Sequence, residues 1–432
     1  MKIICFFLSF GWFTTAAVFA QDTSQQILKT FGLDSARSFL ASDATRSPVE
    51  KAASLILLYE NHPDPLSISE IDMSDLDLQE LPNCLLKYRN LTRLDLSNNH
   101  IRSLPKAFRK LSRLEELNLS GNALHQVEFE LPRLKNIRAL DLSKNELTQL
   151  PVWIKRMKKV EQLSLAYNEL ICLPKKLRKL RQLESLDIRG NNLVNFGDHF
   201  HYAKRLRFFR TLTAYHCHIE QIPDNISSLK RLKTLDLSHN NLQYISPEIG
   251  KLSMLEELYL HNSHIKELPG GISQCQQLFM LTLQQNELSS LPEAFTELRN
   301  LSSLHLNHNR LTYLPERIGD MDLSEVYVYH NKLTSLPQSF SDLSNLVHLR
   351  IDNTFISEFP DQILKLDKIA SINFTDSDIS ILPEGILELD SLELLAFREA
   401  KIDKGHPLNA HYEEVIRELN GRGVALYLID HE

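Results

Sequence analysis

Residues 91–113, LTRLDLSNNHIRSLPKAFRKLSR, decide the fold, because the chain repeats their pattern about every 23 residues. In this unit leucine or isoleucine stands at positions 1, 4, 6, 11 and 14, asparagine at position 9 and proline at position 15. Fifteen copies follow one another, from the copy that starts at Ile68 to the copy that starts at Leu392. Each copy is expected to pack only on its neighbours, so one elongated core replaces the separate domains that 432 residues would otherwise suggest.

Positions 3 to 7 of each copy alternate between exposed and apolar residues, which predicts one short parallel strand per copy. Positions 4 and 6 then face the core, and positions 3, 5 and 7 face the inner side of a curved sheet. The proline at position 15 begins an outer return, whose residues at positions 18 and 21 pack inward.

The spacing of these residues resembles the leucine-rich repeat, L-x-x-L-x-L-x-x-N/C-x-L. It is similar to the 23-residue "typical" class with a Leu-Pro pair, as in Ras-scaffold-like and plant Ras-group-related repeat proteins and their bacterial relatives. The resemblance covers about residues 68–402. It implies an α/β fold, a right-handed horseshoe solenoid with a concave parallel β-sheet, and recognition of a protein ligand on that face. No kinase, GTPase or ubiquitin-ligase module follows the repeats, so we expect no intrinsic signalling activity.

Position 9 predicts how adjacent copies are held in register. A buried asparagine amide there can bond backbone groups of its own turn and of the neighbouring turn, which would otherwise cost about 1 to 3 kcal/mol each. Ser263 takes this position in one copy, and we expect the connection between adjacent copies to be weaker there. The asparagines of this predicted ladder are Asn99, Asn122, Asn145, Asn168, Asn191, Asn240, Asn286, Asn309 and Asn331.

The two ends predict a targeting segment and two caps. Residues 1–20 carry one lysine, an apolar run and Val18 and Ala20 before a cut at Gln21, which indicates a secretory signal peptide; an uncleaved membrane anchor is the alternative. Residues 21–67 predict a helical N-terminal cap, the repeats fill residues 68–402, and residues 403–432 predict a helix and strand as C-terminal cap.

Several kinds of site are not expected. The chain has no phosphate loop, no G-x-S-x-G, no H-E-x-x-H and no paired C-x-x-C, so we expect neither an enzyme nor a cofactor. Cys84, Cys172, Cys217 and Cys275 lie in different copies, too far apart for disulfides. Neighbouring histidines at position 8 form two pairs, but no carboxylate is fixed beside them, so we expect no metal.

The inner-face columns change in chemistry near residue 209. Earlier copies present small polar groups, whereas later copies present tyrosine, histidine and arginine, which combine contact area with hydrogen-bonding tips. The alternative is that position 8 begins a turn where histidine is merely tolerated, and that the tyrosines pack on one another. The candidate ligand-binding residues are Tyr215, His216, His239, Tyr259, His261, His305, His308, Tyr327, Tyr329, His330, His348 and Arg350.

A second feature lies on the outer side of the earlier copies. Residues 101–210 carry 23 lysines and arginines against 11 acids, a net charge of +12 in a chain of net charge −7. This flank either steers the chain to an anionic surface or is merely a solvated face. Its basic residues are Lys106, Arg109, Lys110, Lys155, Arg156, Lys158, Lys159, Lys175, Lys176, Arg178, Lys179, Lys204, Arg205 and Arg207.

Two functions follow from these features. The first is a non-enzymatic exported module that binds a protein ligand on its concave face. The alternative is an envelope-associated structural or adhesive protein, held to an anionic surface by the basic outer flank. A nucleic-acid partner is not expected, because the flank lacks interleaved aromatic residues and export is expected.

Overall fold

The computed structural model describes residues 46–124, 134–150, 152–173, 175–198, 205–398, 401–403, 405–407 and 410–428. The chain divides into two compact units: the first is Met1–Asn191 with Arg205–Phe208, and the second is Asn192–Lys204 with Phe209–Glu432. The predicted signal peptide and the first helix predicted for the N-terminal cap lie outside the described residues. Within those ranges no helix is both long and apolar enough to cross a membrane.

The first unit is built on parallel strands that start two residues after each predicted repeat start. Each strand is three residues long and buries its middle residue, because alternate side chains point to opposite faces. Neighbouring strands pair with an offset of one repeat, so that Leu94 lies between Ile71 and Leu117. The strands are β1 (Glu70–Asp72), β2 (Arg93–Asp95), β3 (Glu116–Asn118), β4 (Ala139–Asp141), β5 (Gln162–Ser164) and β6 (Ser185–Asp187).

The second unit continues the same construction. Its main sheet is parallel and ordered β7-β9-β11-β12-β13-β14-β15-β16-β17-β18, while β8 and β10 form a separate two-stranded parallel pair. The strands are β7 (Thr211–Thr213), β8 (Gln221–Ile222), β9 (Thr234–Asp236), β10 (Tyr244–Ile245), β11 (Glu257–Tyr259), β12 (Met280–Thr282), β13 (Ser303–His305), β14 (Glu325–Tyr327), β15 (His348–Arg350), β16 (Ser371–Asn373), β17 (Leu394–Phe397) and β18 (Ala425–Leu428).

Short 3-10 helices form the outer return of most of the repeats that the structure describes. They begin after position 15, which is proline in every case except Ser246, and the residue at position 18 is buried in each, as Phe108, Phe295 and Phe340 show. In the first unit they span Asn83–Lys87, Lys106–Lys110, Val152–Arg156 and Lys175–Lys179. In the second unit they span Asp224–Ser228, Pro247–Lys251, Gly270–Gln274, Glu293–Glu297, Ile318–Asp320, Gln338–Asp342, Asp361–Lys365 and Glu384–Glu388.

Helix α1 (Pro48–Glu60) covers the first repeat. Ser47 and Glu50 form a reciprocal capping box at its start, because each side chain accepts a hydrogen bond from the other residue's backbone N–H, at 3.3 and 2.9 Å. Tyr59 and Tyr88 are almost fully buried, and the Tyr88 hydroxyl donates to the Tyr59 carbonyl at 2.6 Å. The polar cap thereby closes the open end of the core.

At the other end, helix α2 (Tyr412–Gly421) leads through Gly423 into β18, which pairs with β17. Gly423 has φ +84°, a left-handed conformation that glycine adopts without steric cost, and it lets the chain turn directly from helix to strand. The predicted α/β repeat solenoid with small caps is therefore confirmed. Cys84 and Cys275 carry free thiols, and burial raises the pKa of both to about 12.

The position-9 asparagines connect each repeat to the one before it. In the rung at Asn286, the amide oxygen accepts from the Ile265 N–H at 3.0 Å, and the amide nitrogen donates to the carbonyls of Leu260 and Leu283 at 2.9 and 3.0 Å. Rungs at the other eight asparagines bond the equivalent backbone groups. One buried side chain thus satisfies backbone groups of two repeats at once.

The rung at Ser263 differs. The residue is 7% exposed, and its hydroxyl has no hydrogen-bond partner among the described residues. Thr354 and Ser377, which also replace asparagine, each donate to the position-6 carbonyl of their own repeat at 2.8 and 2.7 Å. Serine is too short to reach the preceding repeat, so the register between β9 and β11 depends on strand pairing there.

These two rungs give a stability prediction. Asn286→Ala leaves buried backbone groups unpaired and should lower the free energy of unfolding by on the order of 2 kcal/mol. Ser263→Ala removes a hydroxyl that makes no bond, and should stay within about 0.5 kcal/mol of the parent or exceed it. Urea unfolding followed by circular dichroism measures both variants. Equal losses would show that the amide bonds are not what distinguishes the two positions.

Candidate functional site

All twelve candidate ligand-binding residues lie in the second unit, on or directly after strands β7 to β15. Positions 3 and 5 are the first and last residues of each strand, and position 7 follows at the start of the turn. Their side chains point away from the core because the apolar residues at positions 4 and 6 are buried. The strands therefore set these polar side chains in columns on one face.

Position 8 has a backbone constraint that the sequence did not reveal. Its φ is positive in every described repeat, between +50° and +67°, including +52° at His216 and +55° at His308. Histidine, asparagine and aspartate tolerate this left-handed region better than most residues. The turn therefore explains why histidine is accepted at position 8, but it does not explain the tyrosines and histidines at positions 5 and 7.

Tyr215, His216, His239 and His261 form the first ring cluster. The Tyr215 and His216 ring centroids are 5.4 Å apart, those of His216 and His239 are 4.6 Å apart, and those of His239 and His261 are 5.1 Å apart. The series crosses three adjacent repeats, and the Asn262 amide contacts the His239 Nδ1. Contacts between the rings hold them at these positions on the face.

The second ring cluster lies on β13 to β15 and the turns that follow them. His308 and His330 stack with centroids 4.2 Å apart and an interplanar angle of 15°, and Tyr329 packs edge-on against both. The Arg350 guanidinium lies 4.1 Å from the centre of the Tyr329 ring, a cation–π contact. The cluster comprises His305, Tyr327, His308, Tyr329, His330 and Arg350.

Strand register joins the two clusters into one surface, which we call the ring face. The position-5 column runs from Tyr259 through Thr282, His305 and Tyr327 to Arg350, each paired with the next across adjacent strands. His305 and Tyr327 stack at 5.1 Å within this column. His261 belongs to the position-7 column. Its Nδ1 lies 3.0 Å from the Thr282 Oγ1, so it contacts the position-5 column at Thr282. The sequence places these residues in columns, and the structure shows that most of them touch.

Two predicted residues stand apart from these ring contacts. The Tyr259 hydroxyl lies 3.4 Å from a Glu257 carboxylate oxygen, and this residue meets the ring face through the position-5 column alone. His348, at position 3 of β15, makes no ring contact within the described part of the chain. It lies at the margin of the ring face.

The carboxylates on this face bond to the protein itself. Asp352 accepts two hydrogen bonds from Arg350, both at 3.0 Å, and its side chain is only 9% exposed. Glu325 accepts from the Ser303 hydroxyl at 2.9 Å, and Asp236 accepts from the Ser238 backbone N–H at 3.0 Å. Because these carboxylates form hydrogen bonds within the protein, the ring edges and hydroxyl groups are the groups exposed to a partner.

Four histidines of this face are held neutral. Burial lowers the pKa of His239, His261, His305 and His308, because desolvation disfavours the charged imidazolium. The neighbouring histidine lowers it further in three of them: His216 acts on His239, His239 on His261, and His330 on His308. At neutral pH these four rings are therefore uncharged hydrogen-bonding groups.

The contacts found within the described part of the ring face form no recognisable catalytic or metal site. Among the described residues no group of three histidine, cysteine or acidic side chains is placed to hold a metal ion. The hydroxyl that meets a histidine, that of Thr282, belongs to a residue only 8% exposed. Burial therefore leaves little of Thr282 accessible to a substrate.

The inner face of the first unit has a different character. A groove of about 490 Å³ runs along β1 to β6, because short side chains at position 5 leave space that rings fill in the second unit. Its aspartates cap the following turns: Asp95 accepts from the Ser97 N–H at 2.8 Å, and Asp141 from the Ser143 N–H at 2.8 Å. Hydrogen bonding to the turn backbone is a sufficient reason for aspartate at these positions.

Comparison with known proteins places these features in a family. Residues 210–328 match the family model described as a leucine-rich repeat region, and residues 70–124 and 135–193 match the model described as leucine rich repeat. Together these matches span more than half of the chain. None of the curated proteins compared with the chain matches it.

Solved structures share the fold. A leucine-rich repeat protein of Leptospira interrogans is 26% identical with a TM-score of 0.67, over 86% of this chain and 91% of that one. The Toll–Spätzle complex of Drosophila contains a chain 20% identical with a TM-score of 0.66, over 79% of this chain and 48% of that one. An internalin of Listeria monocytogenes is 17% identical with a TM-score of 0.52, over 82% and 95% of the two chains.

The lowered histidine pKa values predict how stability depends on pH. The unfolded chain takes up protons near pH 6.5, where the folded histidines do not, so stability is full above about pH 6.5 and is lost as the pH falls below it. Carboxylates of ordinary pKa remain ionised down to pH 5.5. The melting temperature should therefore fall between pH 7.5 and pH 5.5.

The double variant His305→Gln/His308→Gln should show a smaller fall over this interval, measured by differential scanning calorimetry. Phe355→Gln changes an exposed residue that does not titrate and lies outside the position-5 and position-7 columns, so this control should keep the parent's pH dependence. A double variant whose melting temperature falls as steeply as that of the parent would contradict the prediction.

Proposed function

Because the chain belongs to the leucine-rich repeat family, whose members commonly act as protein-binding modules, we propose that it binds a protein ligand through its ring face. The observation that carries the proposal is the continuous surface of tyrosine, histidine and arginine on β11 to β15 and the adjoining turns. Tyrosine and arginine are enriched in the parts of interfaces that contribute most binding energy.

The ring face has the physical properties of a recognition surface. Its rings are fixed by mutual contacts, as in the His308–His330 stack, so binding costs little side-chain entropy. Arg350 is held by Asp352 and by the Tyr329 ring, and keeps a partly exposed guanidinium. Hydroxyls and imidazole nitrogens supply directional hydrogen bonds at the tips of these fixed groups.

The charge of the face narrows the class of partner. Four of its histidines are neutral at pH 7, and its carboxylates are engaged within the protein. Attraction therefore depends on stacking, apolar contact and hydrogen bonds rather than on net charge. A peptide segment with aromatic or amide side chains fits this surface better than a strongly acidic or basic one.

The proposed module is exported and non-enzymatic. Export is supported by the apolar run and the small residues Val18 and Ala20 of the N-terminal segment. The absence of enzyme motifs from the sequence supports a binding role. The Toll–Spätzle structure is consistent with such a role, since a chain of similar fold takes part there in a complex.

Substitution of three tyrosines tests the ring face. The variant Tyr259→Ser/Tyr327→Ser/Tyr329→Ser should fold normally, since all three side chains are only partly buried, and should lose capture of the protein that the mature parent retains from an extract of its source. The loss should exceed about 100-fold in affinity, since each anchoring tyrosine contributes about 1 to 2 kcal/mol. Affinity is measured by surface plasmon resonance with the captured protein.

A matched control separates this surface from aromatic residues in general. Tyr244→Ser/Tyr313→Ser/Phe355→Ser removes three aromatic side chains that are 50%, 54% and 59% exposed and lie outside the position-5 and position-7 columns. This control should bind as the parent does. Unchanged capture by the ring-face variant, or equal loss in both variants, would remove the ring face as the binding site.

A further inference from the structure

Four basic side chains line a cavity on the outer side of the first unit. Lys155 and Lys158 come from the repeat that starts at Ile137, and Lys179 and Arg181 come from the next repeat. The cavity has a volume of about 310 Å³, and all four residues are exposed. No acidic residue contributes to its described lining.

The repeat register brings these charges together. Strands β4 and β5 pair with an offset of 23 residues, as Ala139 with Gln162. The same offset relates Lys158 to Arg181, so equivalent positions of adjacent returns carry like charges. Adjacent strands lie only about 4.8 Å apart, and like charges held on neighbouring turns repel.

The surrounding chain does not neutralise them. The return segments 149–159 and 172–182 contain nine lysines and arginines and no aspartate or glutamate. Two further lysines of these segments bond to neutral oxygens: Lys159 to the Asn136 side chain at 2.9 Å, and Lys176 to the Leu150 carbonyl at 2.6 Å. Among the described residues, none of the four lining side chains forms an ion pair. These exposed charges are therefore available to an anion from outside the chain.

The fold itself does not demand basic residues here. Lys179 and Arg181 occupy positions 20 and 22 of their repeat. At these positions the repeat that starts at Leu255 has Gln274 and Gln276, and the repeat that starts at Leu323 has Asp342 and Ser344. Both of these repeats form the same 3-10 helix. The concentration of charge is therefore a property of this part of the surface.

We propose that the cavity and the basic returns beside it bind the sulfate or phosphate groups of a linear anionic glycan. Arginine and lysine donate several hydrogen bonds to tetrahedral oxyanions, and four donors around one cavity suit such a group. The helix Lys106–Lys110 offers further basic residues in an earlier repeat, which a linear polymer can meet in turn. The proposal concerns a different surface from the ring face and does not depend on it.

The surface is less suited to a bilayer. The apolar residues of the two 3-10 helices, Trp153, Ile154 and Leu177, are buried in the core. No apolar side chain among the lining residues is available to enter the acyl region of a membrane, which peripheral anchors use in addition to charge. A dissolved polymer with exposed anionic groups suits a cavity whose lining residues are all basic.

Binding of a fluorescein-labelled heparin oligosaccharide, measured by anisotropy, tests the proposal on the mature chain. Affinity should fall as salt rises from about 50 to 200 mM, because binding releases counterions. The variant Lys155→Gln/Lys158→Gln/Lys179→Gln/Arg181→Gln should bind at least about ten-fold more weakly and with a shallower salt dependence. Circular dichroism and an unchanged melting temperature verify that this variant is folded.

A control of equal charge change distinguishes a site from net charge. Lys230→Gln/Arg231→Gln/Lys266→Gln/Arg299→Gln alters four exposed residues of the second unit and should keep the parent's affinity within about two-fold. Equal weakening in both variants would overturn the proposal, as would failure of the parent to bind heparin at 50 mM salt.

Two competitors identify the source of the anion. Inorganic phosphate at the same concentration of anionic groups should compete poorly, because a single group lacks the linked contacts of a polymer. Phosphatidylglycerol vesicles should bind more weakly than heparin and be displaced by it. Complete displacement of heparin by inorganic phosphate, or vesicle binding that excess heparin leaves unchanged, would overturn the assignment to a glycan.

Discussion

The amide of a buried asparagine, bonded to backbone groups of two successive repeats, is the interaction on which the rest of the structure depends. Each turn frees N–H and C=O groups that no strand partner can reach, and the amide at Asn286 satisfies such groups in its own repeat and in the preceding one. This fixes the register between strands at one repeat length. Because the interior is satisfied in this way, the outward-facing positions are free to differ from one repeat to the next.

The second unit uses that freedom to build a surface from rings. Its position-5 column passes from Tyr259 to Arg350, and its position-8 histidines stack beside it. In the first unit the same column carries aspartates such as Asp95, whose carboxylates cap turns and leave a groove above the sheet. One backbone thus supports a filled, neutral face in one unit and an open, acidic face in the other. Side-chain size and internal pairing account for the difference.

Much of the fold can be predicted from the sequence, because it depends on residue types that recur at fixed positions of the repeat. The strand starts, the asparagine rungs, the capping box at Ser47 and the helix that begins at Tyr412 all follow from spacing or local chemistry. The contacts of the ring face do not follow in this way. Whether His308 stacks on His330, or which carboxylate holds Arg350, depends on distances across repeats that a linear pattern does not encode. The cavity between Lys158 and Arg181 does not follow from the sequence for the same reason, although its charges are visible there.

The left-handed backbone at position 8 restricts which amino acids can vary there. Branched side chains such as valine or isoleucine are strained at φ near +53°. Only a few amino acids therefore occur at this position, mainly asparagine, aspartate, glycine and histidine. Positions 3, 5 and 7 carry no such restriction. Specificity can therefore diversify along the strands, while the turn supplies a nearly constant set of hydrogen-bonding groups. A library intended to redirect this scaffold to a new partner would randomise the strand columns and hold position 8 within its permitted set.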